Sequence, residues 1–438
     1  MKAPRDELYM VIRRSLARAW RTDLPRVVLL LQVGNAFNWS GYGVILPFEI
    51  IYLHQFRGFS TATAGLVLAA ILGSGTVATP PSGALLDRFR PKSILIAANL
   101  ASAAGYAGLA FVERPWQAFA CAVIGGAGVG VNRTANNTLL LTLVPPEHRV
   151  ASFALGRAAQ NLGLGAGAAV AGFVISSAQD LRSFQALYLF NGITYVAFAL
   201  VVVAVVPNRP TAEAHDGAGG GGFRAVARDR RFLSIVAVNL VLIIVGYALF
   251  ANILAPFVKA HTTAGPGAIG LLFVFNAFLV AVVQLPVTRL FERMHRARVF
   301  AVASGLFAIA LLGVLPATLI HSELAATALL CAVSAVIAIG ECVHSIVLGP
   351  LVADLAPPHL LGRYISVFSL MVTGGFAIGP AVGGEVLAIS PDAVWWGGAL
   401  VAGVIGAGAL LAGDRIPDKP LAAAESKAAL GDPMPEVA

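Results

Sequence analysis

The sequence predicts an all-α membrane protein whose twelve transmembrane helices form two pseudo-symmetric six-helix bundles. Three observations predict it: an apolar composition, twelve long apolar runs and a weak internal repeat. Of the 438 residues, 58% are hydrophobic and 12% are charged, whereas a soluble domain carries about 25% charged residues. So much apolar surface is stable when it faces lipid, because helices pair their own backbone polar groups there.

Twelve apolar runs are long enough to cross the hydrocarbon of a bilayer, which takes about 20 mostly apolar residues. Charged stretches or stretches rich in Pro and Gly separate them. The predicted helices 1 to 12 span residues 27–53, 62–86, 92–112, 116–143, 150–177, 184–206, 232–258, 267–290, 298–318, 324–353, 362–388 and 393–413.

An internal repeat relates the two halves of the chain. At an offset of 212 residues, Leu-Val-Pro-Pro at 143–146 aligns with Leu-Ala-Pro-Pro at 355–358. The alignment continues without a gap into predicted helices 5 and 11, where it pairs Gly163 with Gly375 and Gly167 with Gly379. A duplicated six-helix unit is typical of transporters that hold a substrate between two halves near the bilayer midplane.

Basic residues predict the orientation, because cytoplasmic loops carry an excess of Lys and Arg. If the N-terminus is cytoplasmic, 24 of the 30 Lys and Arg residues lie in the termini and inner loops. We therefore expect both termini in the cytoplasm. The predicted domains are an N-terminal arm (1–26), a first bundle (27–206), a Gly-rich cytoplasmic linker (207–231), a second bundle (232–413) and a tail (414–438).

Other classes of protein fit the sequence less well. The net charge of +8 does not predict nucleic-acid binding, because the basic residues are confined to short loops. Cys121, Cys331 and Cys342 lie in apolar stretches without a CxxC or Cys/His cluster, so we predict neither a disulfide nor a metal site. No catalytic set of Ser, His and Asp and no phosphate-binding loop stands out, so we expect no enzymatic activity and no cofactor.

Three motifs carry a resemblance to a known family. Residues 83–92 read Gly-Ala-Leu-Leu-Asp-Arg-Phe-Arg-Pro-Lys, between predicted helices 2 and 3. Predicted helix 11 carries Gly-x-x-x-Gly-Pro-x-x-Gly-Gly over 375–384, and predicted helix 10 carries Glu341 after Gly340. The first motif resembles the major facilitator signature. The other two are similar to the twelve-helix drug:proton antiporter branch of that superfamily.

The resemblance implies a secondary active transporter in the cell membrane, driven by the proton gradient, that exports amphipathic or drug-like molecules by alternating access. Its partners would be a small-molecule substrate and the lipid bilayer, and we expect a monomer. Two alternatives stay open: a proton-coupled transporter of one specific metabolite, and a non-transporting receptor built on a transporter fold. An open aromatic cavity would favour the drug exporter, and several converging charges would favour the metabolite transporter.

The resemblance also implies a conformational latch formed by Gly83, Asp87, Arg88 and Arg90. In the family, the Asp docks near the start of predicted helix 11, where a helix N-terminus is partly positive. Gly83 would permit the close helix approach that this docking needs.

Glu341 is the best candidate for proton coupling. It lies about 13 residues before the inner end of predicted helix 10, close to the midplane at about 1.5 Å per residue. His344 and Ser345 follow at i+3 and i+4, on the same helix face. Ionisable groups at this depth are costly and usually face a cavity, so we predict that Glu341 and His344 bind protons. The alternative is a Glu neutralised by a neighbour for packing alone.

Polar and aromatic side chains predict the lining of a central cavity. Those of helix 1 fall within about a 120° arc, although such residues also form interhelical hydrogen bonds. The candidates are Gln32, Asn35, Asn38, Trp39, Tyr42, Asn132, Arg133, Asn136, Arg157, Gln160, Asn161, Asn239, Tyr247 and Ser345. Arg133 could bind an anionic substrate, hold a carboxylate or extend to the inner surface.

Two further predictions concern the outer end of the molecule and the packing of its helices. Glu49 lies near the outer end of predicted helix 1, where it is either an outer gate or simply solvated. The small residues of predicted helix 11 predict a close helix-packing surface. That surface consists of Gly375, Gly379, Pro380, Gly383 and Gly384.

Overall fold

The computed structural model describes residues 24–177, 180–207, 222–291 and 294–412, and most of these residues are helical, with no strand among them. Ten long helices are α2 (Thr61–Leu86), α3 (Pro91–Leu109), α4 (Pro115–Leu143), α5 (Arg149–Ser177), α6 (Leu181–Val205), α8 (Pro266–Phe291), α9 (Arg296–Val314), α10 (Glu323–Leu355), α11 (Leu361–Ile389) and α12 (Pro391–Ala412). The first helical segment, α1, comprises Arg26–Ile45 and short turns that reach Phe56. The seventh, α7, comprises Arg230–Ile243, the π-helical segment Ile244–Ile253 and Leu254–His261.

Nine helices in the described part of the chain are long and apolar enough to cross a membrane. They are α2 and α5 to α12, so the prediction of an all-α membrane protein is confirmed. The other three long segments, α1, α3 and α4, are not among these nine helices, and they are richer in small and polar residues. In particular, α1 and α4 carry most of the Asn and Gln side chains of the first half. Twelve membrane spans therefore stay a prediction.

Helix starts follow from local chemistry. The side chains of Ser60, Asp180, Asp229 and Ser322 accept hydrogen bonds from backbone N–H groups in the first turns of α2, α6, α7 and α10, which have no partner within the helix. Proline opens α3 and α4, where its fixed φ suits the first helical position. These signals explain why the predicted starts at 62 and 324 lie one residue from the observed ones.

The predicted linker, 207–231, contains a short helix, Gly222–Arg228, in its described part. Val226 of this helix is buried and packs in one cluster with Phe232 and Tyr364, which explains why the helix forms beside α7 and α11. Residues 208–221, which include most of the Gly-rich run, lie outside the described residues. The same holds for the predicted tail and for nearly all of the N-terminal arm.

The sequence repeat has a counterpart in helix packing. A Cβ atom added to Gly163 or Gly167 of α5 would lie 2.1 Å from a backbone oxygen of α1. In the second half, a Cβ atom on Gly375 would lie 2.6 Å from Ile243, and one on Gly379 would lie 2.3 Å from Ala248, both in α7. The aligned glycines thus allow α5 to pack on α1 and α11 to pack on α7.

The remaining residues of the predicted packing surface behave differently from one another. A Cβ atom on Gly383 would lie 2.7 Å from Leu249 and Ile253 of α7, so this glycine extends the close contact. A Cβ atom on Gly384 would meet nothing within 4 Å. Pro380 lies inside α11 and does not end it, so only part of the predicted surface is an α7 contact.

The two halves meet along a seam, defined here as the contact of α2 with α11 and of α5 with α8 and α10. Phe153 of α5 lies against Gly349 of α10, where a Cβ atom would be 3.0 Å from its ring. The closed end of the seam is the end at which α2 and α10 finish and α5 and α11 begin. The candidate functional residues are arranged around this seam.

Candidate functional site

An ion pair joins the halves across the middle of the seam. Arg157 of α5 donates from Nη2 to Oε2 of Glu341 in α10 at 2.5 Å, and the two side chains are 25% and 9% exposed. The Arg157 guanidinium also lies over the ring of Tyr247, with Cζ 5.3 Å from the ring centroid, a favourable cation–π arrangement. A charge-assisted hydrogen bond of this kind is stronger than a neutral one.

Tyr247 connects this ion pair to a histidine. Its hydroxyl lies 2.9 Å from Nδ1 of His344 and donates to the backbone oxygen of Glu341 at 3.4 Å. Tyr247 lies in the π-helical segment of α7, a conformation that is frequent at functional sites. The seam cluster, defined as Arg157, Tyr247, Glu341 and His344, therefore brings together four predicted site residues from three helices.

His344 is buried in an apolar setting beside this cluster. Its ring lies 5.7 Å from the ring of Phe300 and 6.0 Å from that of Phe307. Its Nε2 atom is buried and has no hydrogen-bond partner among the described residues. A buried polar atom without a protein partner is a position for a water molecule or a ligand group.

The closed end is fastened by a carboxylate of the first half. Asp87, which follows α2, accepts hydrogen bonds at 2.8 Å from the backbone N–H of Gly362 and from Nη1 of Arg363 at the start of α11. Burial raises the pKa of Asp87 above its usual value, while the Gly362 amide and the Arg363 charge act in the opposite direction. Arg88 and Arg90 of the predicted latch are exposed.

The sequence profile of the Major Facilitator Superfamily matches residues 28–253 and 236–433. The chain belongs to the major facilitator superfamily. It is therefore a membrane transporter that acts on small molecules, and not an enzyme. One bacterial relative is the uncharacterized MFS-type transporter YqjV of Bacillus subtilis (strain 168). It is 24% identical to this chain over 374 residues, and the match covers 84% of this chain and 87% of YqjV.

Two further similarities bear on this major facilitator. Multidrug resistance protein MdtH of Salmonella newport (strain SL254) is 24% identical over 400 residues, which are 86% of this chain and 90% of MdtH. The solved structure of the proton:xylose symporter XylE, bound to 6-bromo-6-deoxy-D-glucose, has a TM-score of 0.69 and 15% identity. That match covers 91% of this chain and 98% of XylE, and at this identity it shows a shared fold.

A second carboxylate fastens the closed end of this major facilitator. Asp354 at the end of α10 pairs with Arg149 of α5 at 3.1 Å and with Arg296 of α9 at 2.6 Å. The sequence interpretation assigned these three residues no role in the site, because they lie at helix ends like many solvated charges. One feature of the sequence could have indicated this contact. Acidic and basic residues lie at the ends of helices that a duplicated fold brings together.

Several predicted lining residues of this major facilitator bond within the halves. Asn132 of α4 donates to Asn99 of α3 at 2.8 Å, and Gln32 of α1 donates to the backbone of Ser152 in α5 at 3.4 Å. Ser345 accepts a hydrogen bond from Gln284 of α8 at 3.0 Å. These contacts agree with the alternative of interhelical hydrogen bonding at those three positions.

Other lining candidates have fewer partners. Both amide atoms of Asn239 and the Oδ1 atom of Asn38 are buried without a hydrogen-bond partner among the described residues. The nearby amides Asn35 and Asn161 bond locally, to Gln32 and to the Arg157 backbone. The half-buried candidates are Trp39, Tyr42, Arg133, Asn136, Gln160 and Asn161. Half-buried polar side chains inside membrane-spanning helices usually face the bundle interior or an aqueous cavity.

Glu49 is buried, with 7% of its surface exposed, so the alternative that it is simply solvated is not supported. Its Oε1 atom has no hydrogen-bond partner among the described residues. The tyrosines that interact with it electrostatically are Tyr42, Tyr106, Tyr188 and Tyr195. The carboxyl group therefore lies inside the first half, among aromatic rings from α1, α3 and α6.

Proposed function

We propose that the protein is a proton-coupled exporter of amphipathic small molecules that works as a monomer by alternating access. In this proposal twelve membrane-spanning helices form two six-helix halves in the cell membrane, with both termini in the cytoplasm. The closed end is then the cytoplasmic end. The observation that carries the proposal is the ion pair between Arg157 and Glu341, because it links proton binding to contact between the halves.

The proton acts on this ion pair. When a proton from the outer side binds to an Oε atom of Glu341, the carboxylate loses its charge and its attraction to the guanidinium. Arg157 stays charged and keeps the Tyr247 ring as a neighbour. Breaking a buried ion pair costs about 3–5 kcal/mol when one charge is left unpaired. Protonation therefore weakens the contact across the seam and allows the halves to rock about it.

The closed end supplies the second part of the mechanism. Asp87 bonds to the start of α11, and Asp354 bonds to the start of α5. Both contacts cross the seam on the proposed cytoplasmic side, so opening to the cytoplasm requires both to separate. Loss of the Arg157–Glu341 attraction lowers the free-energy cost of that separation. Release of the proton to the cytoplasm restores the attraction between the two side chains.

Export of amphipathic compounds is supported by two observations. Trp39 and Tyr42 provide half-buried aromatic surface on a helix that also carries polar side chains, a combination suited to amphipathic ligands. MdtH, a relative over most of the chain, is named a multidrug resistance protein. Coupling to protons is supported by Glu341 and by the shared fold with a proton:xylose symporter.

A specific metabolite is the second candidate substrate, and the charges favour it. Arg133, Arg157 and Glu341 are charged groups at the depth of the proposed cavity. A site with several fixed charges discriminates between ligands more sharply than an apolar site does, because an unmatched ligand leaves a charge unpaired. Under this candidate the proton mechanism is the same and only the range of substrates is narrower.

Transport into inside-out vesicles tests the proposal. With an acidic lumen, the wild-type protein should accumulate at least one dye from a panel of anionic, neutral and cationic compounds. Glu341→Gln should abolish accumulation driven by the pH gradient while the protein stays folded. Glu323→Gln, at the exposed start of the same helix, is the matched control and should behave like the wild type. Full coupling in Glu341→Gln would refute the proposed role of Glu341.

A further inference from the structure

We propose that Arg133 is an anion-binding side chain, so that the transported molecule carries a carboxylate, sulfonate or phosphate group on an apolar body. This inference rests on the proposed function, because it names the class of substrate for that cavity. It chooses one of the three roles that the sequence leaves open for this residue. Depth, partners and neighbouring side chains each support it.

The depth of Arg133 disfavours extension to the membrane surface. Arg133 lies ten residues before the end of α4, which spans Pro115–Leu143, or about 15 Å along the helix axis. Arg side chains that reach the interface lie near helix ends. The groups that interact with Arg133 electrostatically are the hydroxyls of Tyr42 in α1 and Tyr195 in α6. Its guanidinium therefore lies among residues of the bundle interior.

No carboxylate in the described part of the chain pairs with Arg133. Its two electrostatic neighbours are tyrosine hydroxyls, which are neutral at ordinary pH. Glu49 acts on the same two tyrosines, but no hydrogen bond or ion pair joins it to Arg133. Glu341 is already paired with Arg157. In the described part of the chain, the guanidinium of Arg157, eight residues into α5, is thus paired, and that of Arg133, ten residues before the end of α4, is unpaired.

An unpaired guanidinium at this depth has an energetic consequence. A charged side chain inside the membrane is expensive unless an opposite charge or water compensates it. Arg133 is half-buried, so a molecule that enters the cavity can reach it. An anionic group would supply the missing charge and accept two parallel hydrogen bonds from the planar guanidinium. Arg133 and Arg157 therefore have separate roles, substrate binding and proton coupling.

The side chains beside Arg133 define the rest of the ligand. Tyr42 packs edge-to-face against Trp39, with ring centroids 5.8 Å apart, and both rings are half-buried. Aromatic rings of this kind bind apolar and aromatic surface while their polar atoms stay hydrated. An anion on a flat apolar body matches a guanidinium next to such a wall. A simple inorganic anion would leave the aromatic surface without a contact.

Binding to the purified full-length protein in detergent tests the inference without a pH gradient. The probes are 1-naphthoate and 1-naphthamide, which share one ring system and differ in charge. We expect the wild type to bind naphthoate roughly tenfold more tightly, as one charge-assisted pair provides. Arg133→Gln should reduce this preference to less than about twofold. Arg133→Lys should keep part of it, because Lys retains the charge without the planar fork.

The control is Arg182→Gln, at an exposed position near the start of α6, which should keep the wild-type preference. Melting temperatures establish that each variant is folded, and Arg133→Lys provides a second reading if Arg133→Gln is unstable. An unchanged preference in Arg133→Gln would overturn the inference, and so would a wild type that binds both probes equally or binds neither. Vesicle transport of cationic dyes could still succeed in that case, so the two proposals fail separately.

Discussion

Gly83 of α2 and Gly362 of α11 face each other across the closed end of the seam. A Cβ atom on Gly83 would lie 2.7 Å from the Gly362 oxygen and 2.3 Å from Oγ of Ser366, and one on Gly362 would lie 2.5 Å from the Gly83 oxygen. Neither position has room for a side chain while the closed end is shut. The hydrogen bond between Asp87 and the Gly362 N–H depends on this close approach.

Gly83→Ala should therefore force α2 and α11 apart. The added methyl group would lie closer to backbone oxygen than real Cβ atoms do, so the closed end opens or the helices shift. We expect a loss of transport of about tenfold or more and a lower melting temperature, since overpacking costs about 1–3 kcal/mol. Transport is measured on vesicles, and the melting temperature is measured on the purified protein.

Gly73→Ala in the same helix is the matched control for this substitution. A Cβ atom at Gly73 would meet nothing within 4 Å, and Ala favours the helix over Gly by about 1 kcal/mol. Transport should stay at the wild-type level and the melting temperature should not fall. Equal effects of the two alanines would show that close approach at Gly83 is unimportant.

Asp87 should control the balance between conformations and leave substrate binding unchanged. Asp87→Ala removes both hydrogen bonds to the start of α11, so turnover should fall while probe affinity at the seam stays the same. Asp87→Asn keeps an oxygen for the Gly362 N–H, and burial already disfavours the charge. The Asn variant should therefore retain more transport than the Ala variant. Turnover and dissociation constant are measured for both.

Glu113→Ala, an exposed acidic residue before α4, is the control for loss of a negative charge and should leave turnover unchanged. An Ala variant of Asp87 with normal turnover would contradict the latch. A variant with normal turnover per bound probe but weaker probe binding would assign Asp87 to the substrate site instead.

The sequence could predict the helices because each helix depends on signals within its own stretch of sequence. Long apolar runs, capping residues such as Ser60 and Ser322, and the glycine pairs of the repeat all act within one helix or between aligned helices. The residues of the seam cluster were also named, because an ionisable or aromatic side chain in an apolar run is conspicuous.

Pairing could not be predicted, because it depends on geometry between helices distant in sequence. Arg157 and Glu341 are 184 residues apart, and the separation of Arg149 and Asp354 is 205. A helical period places a side chain on a face but does not say which residue lies opposite. For the same reason the sequence treats Asn132 as a lining residue, although it bonds to Asn99 inside the first half.

Asp354 should stabilise the closed end more than either of its arginine partners does. Asp354→Ala removes two ion pairs at once, the one with Arg149 and the one with Arg296. Removing one guanidinium in Arg149→Gln leaves the Arg296 pair in place. We expect Asp354→Ala to cost about 1–3 kcal/mol of unfolding free energy, and Arg149→Gln to cost less because its side chain is 19% exposed.

Thermal unfolding of the two purified variants compares these costs directly. The double variant Asp354→Ala with Arg149→Gln should be no less stable than Asp354→Ala alone, since Arg149 has already lost its ion pair with Asp354 in the single variant. Equal losses from the two single variants, or fully additive losses in the double variant, would contradict an ion-pair network centred on Asp354.

Substitution of Glu49 should raise the melting temperature, whereas substitution of Asp354 should lower it. Its carboxyl group is 7% exposed, and its Oε1 atom has no hydrogen-bond partner among the described residues. Burying a charge without a partner is costly, so Glu49→Gln, which keeps the shape and removes the charge, should raise the melting temperature by about 2 °C or more. Glu341→Gln makes the same chemical change but leaves Arg157 unpaired, so it should lower the melting temperature.

Transport by Glu49→Gln then tests the predicted outer gate, because a gate that needs the carboxylate would fail in a stabilised protein. A lower melting temperature for Glu49→Gln would mean that the Glu49 carboxylate has a stabilising partner.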